Sequence, residues 1–209
     1  LAAVSFLWGT TWVGSKAGVK YMPALQLASI RQVLGGALYI GFFMAKGRAF
    51  PRGKEWWPIL TLSFLNFFLS NSFSTWGVKY ISSGLGAIIG AVFPLWLVVI
   101  ALIGGNSRLT AKSIIGFLLG FAGICIIFYD HLADFLIPEF RFGIFLSVMG
   151  TLSWAFATLY TKKQVLGFNP YFSIGLQMMI SGIALFGVTR ITGEHIPITE
   201  IPLPSWIAI

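Results

Sequence analysis

Charge is the scarcest commodity in this sequence. Only 10% of its 209 residues are Asp, Glu, Lys or Arg, against 57% that are hydrophobic. A soluble domain devotes roughly a quarter of its residues to charge. A chain this poor in charge cannot cover itself with a water-facing surface, which excludes an ordinary soluble enzyme, a disordered tail and a nucleic-acid module. Cysteine is nearly missing too: Cys125 stands alone in an apolar run, so there is no disulfide framework. The two histidines, His131 and His195, fall between apolar runs, far from any cluster with metal-ligand spacing, so neither a metal nor a cofactor is expected. No Gly-x-x-x-x-Gly-Lys loop is present, so no ATP engine is encoded. The charge that exists is mostly of one sign, +8 net. In an apolar chain such an excess is first explained by basic cytoplasmic loops rather than by an acidic partner.

Long apolar runs fill the space that charge leaves. A membrane-spanning helix needs about 20 mostly apolar residues, and seven runs approach this, at 1–19, 24–45, 57–78, 83–104, 111–129, 142–161 and 171–190, with an eighth starting near Trp206. Most connections are short, so the expected fold is all-α, a polytopic transmembrane helical bundle whose backbone polar groups are satisfied within each helix. No small-residue cleavage site follows the first run, which reads as a retained helix rather than a signal peptide; both ends of the chain read as cut. The loops after the second, fourth and sixth runs hold Lys46, Arg48, Arg52, Lys54, Arg108, Lys112, Lys162 and Lys163. The alternate loops hold Lys16, Lys20, Lys79, Arg141 and Arg190. Eight basic residues against five place the N-terminus in the cytoplasm of a cell (plasma or inner) membrane protein.

The sequence also repeats itself. Ser5, Trp8, Trp12 and Lys16 return 146 residues later as Thr151, Trp154, Thr158 and Lys162, while Pro23 and Gly35 return after 147 as Pro170 and Gly182. Pro51 and Pro197 then each precede a tryptophan at the head of the next run. Ordered self-similarity of this kind marks a repeat architecture. A unit of five helices is odd, so its second copy starts from the opposite face, and inverted repeats with a site near the midplane characterise secondary transporters. The expected organisation is a first five-helix repeat over 1–129, an inter-repeat loop over 130–141 and the start of a truncated second repeat over 142–209.

Further motifs fall into place along the first five runs: Leu7-Trp8-Gly9-Thr10, Pro23 with Arg31, Lys79-Tyr80-Ile81-Ser82, Val92-Phe93-Pro94-Leu95, and Arg108-Leu109-Thr110 before Gly116-Phe117, with Ser153-Trp154 taking up the pattern again. In this the chain resembles the EamA family of the drug/metabolite transporter superfamily. The resemblance implies ten helices as two inverted five-helix repeats, of which this chain would cover about seven, and the export or exchange of small metabolites. The family commonly carries Gly-Glu before the basic residue that follows the fourth span. Here Asn106-Ser107 precede Arg108, so no role of that glutamate carries over.

Polar residues inside apolar runs are the candidates for function. In the third run Ser63, Asn66, Ser70 and Ser74 follow one α-helical stripe, widened by Asn71 and Ser72. In lipid such groups must face protein or a wet cavity, because unpaired polar groups there cost several kcal/mol; they either line a path or glue helices together. Trp8, Trp12, Ser15 and Lys16, and Ser147, Thr151, Trp154 and Thr158, form single faces of the first and sixth runs, suited to an aromatic or amphipathic substrate or to plain packing. Arg31, about two turns into its run, either holds a substrate carboxylate or phosphate or snorkels outward. Lys16 and Lys162 sit closer to run ends, as snorkelling or topology markers. Pro94 removes an intrahelical bond and presses on the carbonyl of Gly90, a site for bending during gating. Gly86-x-x-x-Gly90 and Gly116-x-x-x-Gly120 permit close helix approach, within the chain or in a homodimer.

None of the six acidic residues lies inside a run. That removes the paired carboxylates of an intramembrane aspartyl protease and the membrane glutamate of a small multidrug pump. The reading that follows is a non-enzymatic transporter of small organic metabolites, working by facilitated or secondary alternating access, with a small-molecule substrate (an amino acid or another metabolite) and the lipid bilayer as partners. Its rival is a non-transporting scaffold or assembly subunit.

Overall fold

A computed structural model of the chain describes residues 2–104, 110–129, 131, 133–163 and 168–207. Asn106, Ser107, Arg108, Leu109 and Asp130 lie outside them. Among the described residues the regular structure is entirely helical. The elements are α1 (Ala2–Gly18), α2 (Ala24–Ala45), α3 (Trp56–Leu62), a π-helical stretch (Ser63–Asn71), α4 (Ser72–Tyr80), α5 (Ser83–Ala91), α6 (Phe93–Ile103), α7 (Ala111–Tyr129), α8 (Pro138–Lys163), α9 (Pro170–Thr192) and α10 (Leu203–Ile207). Four stretches, Ala24–Ala45, Ser83–Ile103, Pro138–Lys163 and Pro170–Thr192, are long and apolar enough to cross a membrane. This is a multi-pass membrane protein of the all-α bundle class.

The helix limits follow from local chemistry. At α9 the Asn169 side chain accepts from the amides of Tyr171 and Phe172, both at 3.0 Å, Pro170 opens the first turn, and Gly193 ends the helix at φ 72. Ser82 caps α5 by accepting from the Leu85 amide at 3.1 Å. Pro94 lies in the first turn of α6, and the ladder tightens around Val92, where the amides of Val92 and Leu95 bond three residues back. The expected bend therefore takes the form of a break between α5 and α6. The sixth span starts earlier than its apolar run: α8 begins at Pro138, so the end of the 130–141 segment is helix rather than loop.

Glycines set the closest helix crossings. A Cβ at Gly36 would sit 2.9 Å from the Gly175 carbonyl oxygen, and one at Gly182 would sit 3.1 Å from the Ser29 carbonyl oxygen. Low numbers on α2 thus meet high numbers on α9, and the two helices run antiparallel. The Ser29 hydroxyl adds a hydrogen bond to the Gly182 carbonyl at 2.8 Å. Gly77 and Gly143 make the same kind of contact between α4 and α8, and Gly150 lies against Ser70 and Ser74. Small residues let the helices approach where lipid supplies no hydrophobic drive for association.

Candidate functional site

The third span is where the helical pitch departs from expectation. Ser63–Asn71 is π-helical, an i→i+5 ladder with more residues per turn than the 3.6 of an α-helix. The α-helical stripe is therefore partly redistributed. Ser63 turns away, is buried, and donates to the Gln177 carbonyl at 2.8 Å; it is interhelical glue. Asn66, Ser70, Asn71, Ser74 and Thr75 instead share one wall of a cavity of about 440 Å³. Among the described residues the side chains of Asn66, Ser70 and Ser74 have no hydrogen-bond partner. Asn71 Oδ1 is approached by Gln32 Nε2 at 3.4 Å, which also donates to the Phe67 carbonyl at 3.1 Å.

Across the cavity stand the tryptophans of the first and sixth spans. Trp8, Trp12, Thr151 and Trp154 all line it. Trp8 and Trp154 stack with centroids 5.4 Å apart at 20°, and Phe93 stacks on Trp154 at 4.1 Å and 27°. Trp154 is thus packed by two protein rings while still lining the cavity. Trp8 keeps 55% of its surface exposed. Trp12 rests on α5: a Cβ at Gly86 or Gly90 would come within 2.9 Å of its ring. The Gly86-x-x-x-Gly90 pair thus seats an indole rather than another helix backbone. Among the described residues a Cβ at Gly116 would meet nothing within 4 Å and one at Gly120 only Leu95 at 3.5 Å, so that pair forms no tight crossing there.

Arg31 and Ser15 complete the lining, and Arg31 Nη1 donates to Ser15 Oγ at 2.7 Å. One expectation needs correction. Thr158 does not border the cavity; its hydroxyl bonds the Trp154 carbonyl of its own helix at 2.9 Å. Gly90 lines the cavity, and Pro94, beside the break between α5 and α6, is not among the lining residues. Lys16 neither snorkels nor faces the cavity: Nζ donates to the carbonyls of Val78, Lys79 and Ile81 at 2.9, 3.1 and 2.7 Å. These are orphan acceptors around the end of α4, the position where a cation is most favourable.

Sequence reasoning did not single out Phe67, Thr11, Thr75 or Ile174 as lining residues, nor Phe93 as a partner of Trp154. A second hollow of about 440 Å³, lined by Leu38, Tyr39, Phe42, Phe43 and Tyr171, is lined almost wholly by apolar and aromatic surface. The polar cavity is the candidate site.

A model of the EamA-like transporter family matches residues 1–129, which include most of the residues that build this cavity. The chain belongs to that family. Curated relatives extend the similarity into α8 and beyond. The chain is 30% identical over 190 residues to the uncharacterized transporter YvbV of Bacillus subtilis, covering 88% of this chain and 60% of the relative. It is 25% identical over 214 residues to the uncharacterized inner membrane transporter YedA of Escherichia coli, covering 100% of this chain and 66% of the relative. An uncharacterized transporter of Archaeoglobus fulgidus is 22% identical over 186 residues, 89% of this chain and 64% of its own length. The chain therefore spans a little under two thirds of these relatives. No solved structure matches it.

Proposed function

We propose that this chain forms the first five-helix repeat and the opening of the second in an inverted-repeat transporter, which moves a small organic metabolite across a cell membrane by alternating access. The observation that carries the reading is the cavity between the first, third and sixth spans. It gathers the unpartnered Asn66 and Ser70, the guanidinium of Arg31 and the rings of Trp8 and Trp12. Polar groups left without protein partners at a membrane interior call for water or a ligand. A volume of about 440 Å³ falls within the ordinary range of small-molecule sites, roughly 300–1,000 Å³.

The contacts between the halves support the two-fold relation. Trp8 stacks on Trp154, its own counterpart in the repeat. On α2 and α9, shifting the Gly36–Gly175 contact by 147 residues and exchanging its members gives 28 and 183, one residue from the Ser29–Gly182 contact. The antiparallel crossing of α2 and α9 fits copies that start from opposite faces. The same reading takes the N-terminus as cytoplasmic and the transport as facilitated or ion-coupled, without ATP.

Serines such as Ser63 and Ser153, which donate to carbonyls of neighbouring spans at 2.8 Å, serve association and fit the scaffold reading equally well. Asn66 separates the two. With the full-length protein in vesicles, Asn66→Leu lowers flux while the amount of folded protein in the membrane is unchanged. Reduced folded protein with normal flux per surviving molecule is the scaffold outcome.

A further inference from the structure

Among the described residues Arg31 is a cation without an anionic partner. Its guanidinium has five N–H donors and stays charged at any accessible pH. Among the described residues it makes one side-chain hydrogen bond, to the neutral hydroxyl of Ser15. The one close contact between a basic and an acidic side chain among those residues is His131–Asp134, in the segment before α8. No acidic residue among those described lines the cavity, and Glu139 lies in the first turn of α8. A half-buried charge at a membrane interior needs an opposite charge or water, and such residues mark substrate pathways. Lys16, next in the chain to Ser15, offers a contrast. Lys16 is satisfied by three carbonyls and needs nothing more.

The rest of the cavity says what kind of anion fits. Trp8, Trp12 and Phe67 supply apolar walls, while Asn66 and Ser70 stand ready to donate or accept. Those walls hold a hydrocarbon or aromatic body, and the single cation matches a single negative charge. A guanidinium binds a carboxylate through two parallel hydrogen bonds. A ligand ammonium finds no carboxylate among the lining residues, so a zwitterion or an amine leaves its positive charge beside Arg31.

Resting on the transporter reading above, we infer that the ligand of this cavity is an organic monoanion, a carboxylate on an apolar body, held by Arg31 with Ser15 steadying the guanidinium. The test uses three probes with one phenyl body and different charge: 3-phenylpropionate, phenylethylamine and phenylalanine. Binding to the full-length purified protein is followed by quenching of tryptophan fluorescence, and flux is followed separately in vesicles with labelled probe. The expected result is saturable binding of 3-phenylpropionate at least tenfold tighter than of either other probe. Arg31→Gln removes that preference, and Arg31→Lys, which keeps the charge and guards against misfolding of the first variant, retains part of it. Preferential binding of the amine or the zwitterion overturns the inference, and so does binding of none of the three. An anion preference unchanged by Arg31→Gln overturns it as well. Anion binding that depends on Arg31 without flux of any probe leaves the inference standing and sinks the transporter reading instead. Flux of phenylethylamine that is indifferent to Arg31 does the reverse.

Discussion

At Gly90 one hydrogen atom in place of a methyl group decides the shape of the cavity. A Cβ there would come 2.9 Å from the Trp12 ring, closer than side chains tolerate, and the ring has no flexible end that could yield. Gly90→Val therefore drives Trp12 into the cavity. Overpacking of this kind costs about 1–3 kcal/mol, so folded protein declines modestly while the half-saturation concentration for transport rises several-fold; a flux titration normalised to folded protein checks both. Residue identity was legible at such points because polar or small residues in apolar runs are conspicuous. Asn66, Ser70, Trp8 and Arg31 were found this way and do share one cavity. Thr158 was misplaced because a hydroxyl on a helix can bond its own turn, as it does to the Trp154 carbonyl, and sequence spacing does not distinguish that from an outward-facing group.

At the scale of elements, the third span is held by a lysine from the first. Three carbonyls around the end of α4 converge on Lys16 Nζ, and losing a charged partner leaves half-buried acceptors unsatisfied. Lys16→Met, which keeps the length of the side chain, is expected to destabilise the protein by about 2–3 kcal/mol, read as a lower midpoint of thermal unfolding in detergent. A purely snorkelling lysine would give a change near zero. Sequence alone could not foresee this, since the acceptors lie more than sixty residues away in the chain and are backbone atoms without a signature. The same holds for Gln26, whose amide exchanges two hydrogen bonds with the backbone of Ile196 at 2.7 and 3.0 Å and pins the segment after α9 to the start of α2. The π-helical stretch was hidden for another reason. Its residues follow an ordinary α-helical pattern, and only the packed ladder shows that Ser63 and Asn66 face different ways.

For the whole molecule, the orientation of the spans makes a prediction of its own. A cysteine at Arg52 is expected to react with impermeant reagents only from the cytoplasmic side, and one at Asp134 only from the opposite side. Labelling of both from one face would remove the inverted-repeat proposal, because the two copies would then start from the same side. The helical bundle itself was legible, since lipid permits few alternatives to a chain with so little charge. Which helices pair was not, because the glycines at the crossings of α2 with α9 and α4 with α8 have meaning only once their partners are known.

The stack of Trp8 on Trp154 joins two residues that are each other's counterparts, and on the two-fold proposal such a pair lies on the axis. A group on the axis presents the same surface to solute arriving from either compartment. The symmetry partner of Trp8→Ala is Trp154→Ala, so the first should weaken affinity for influx as much as the second does for efflux. Arg31 has no twin, for Met178 occupies the matching place 147 residues on. A solute gripped by Arg31 is held off-centre in a symmetric frame, so its escape routes to the two compartments differ in length and in charge. On that proposal the asymmetry of a single side chain makes the half-saturation concentrations measured from the two sides unequal, while net flux still follows the solute's own gradient.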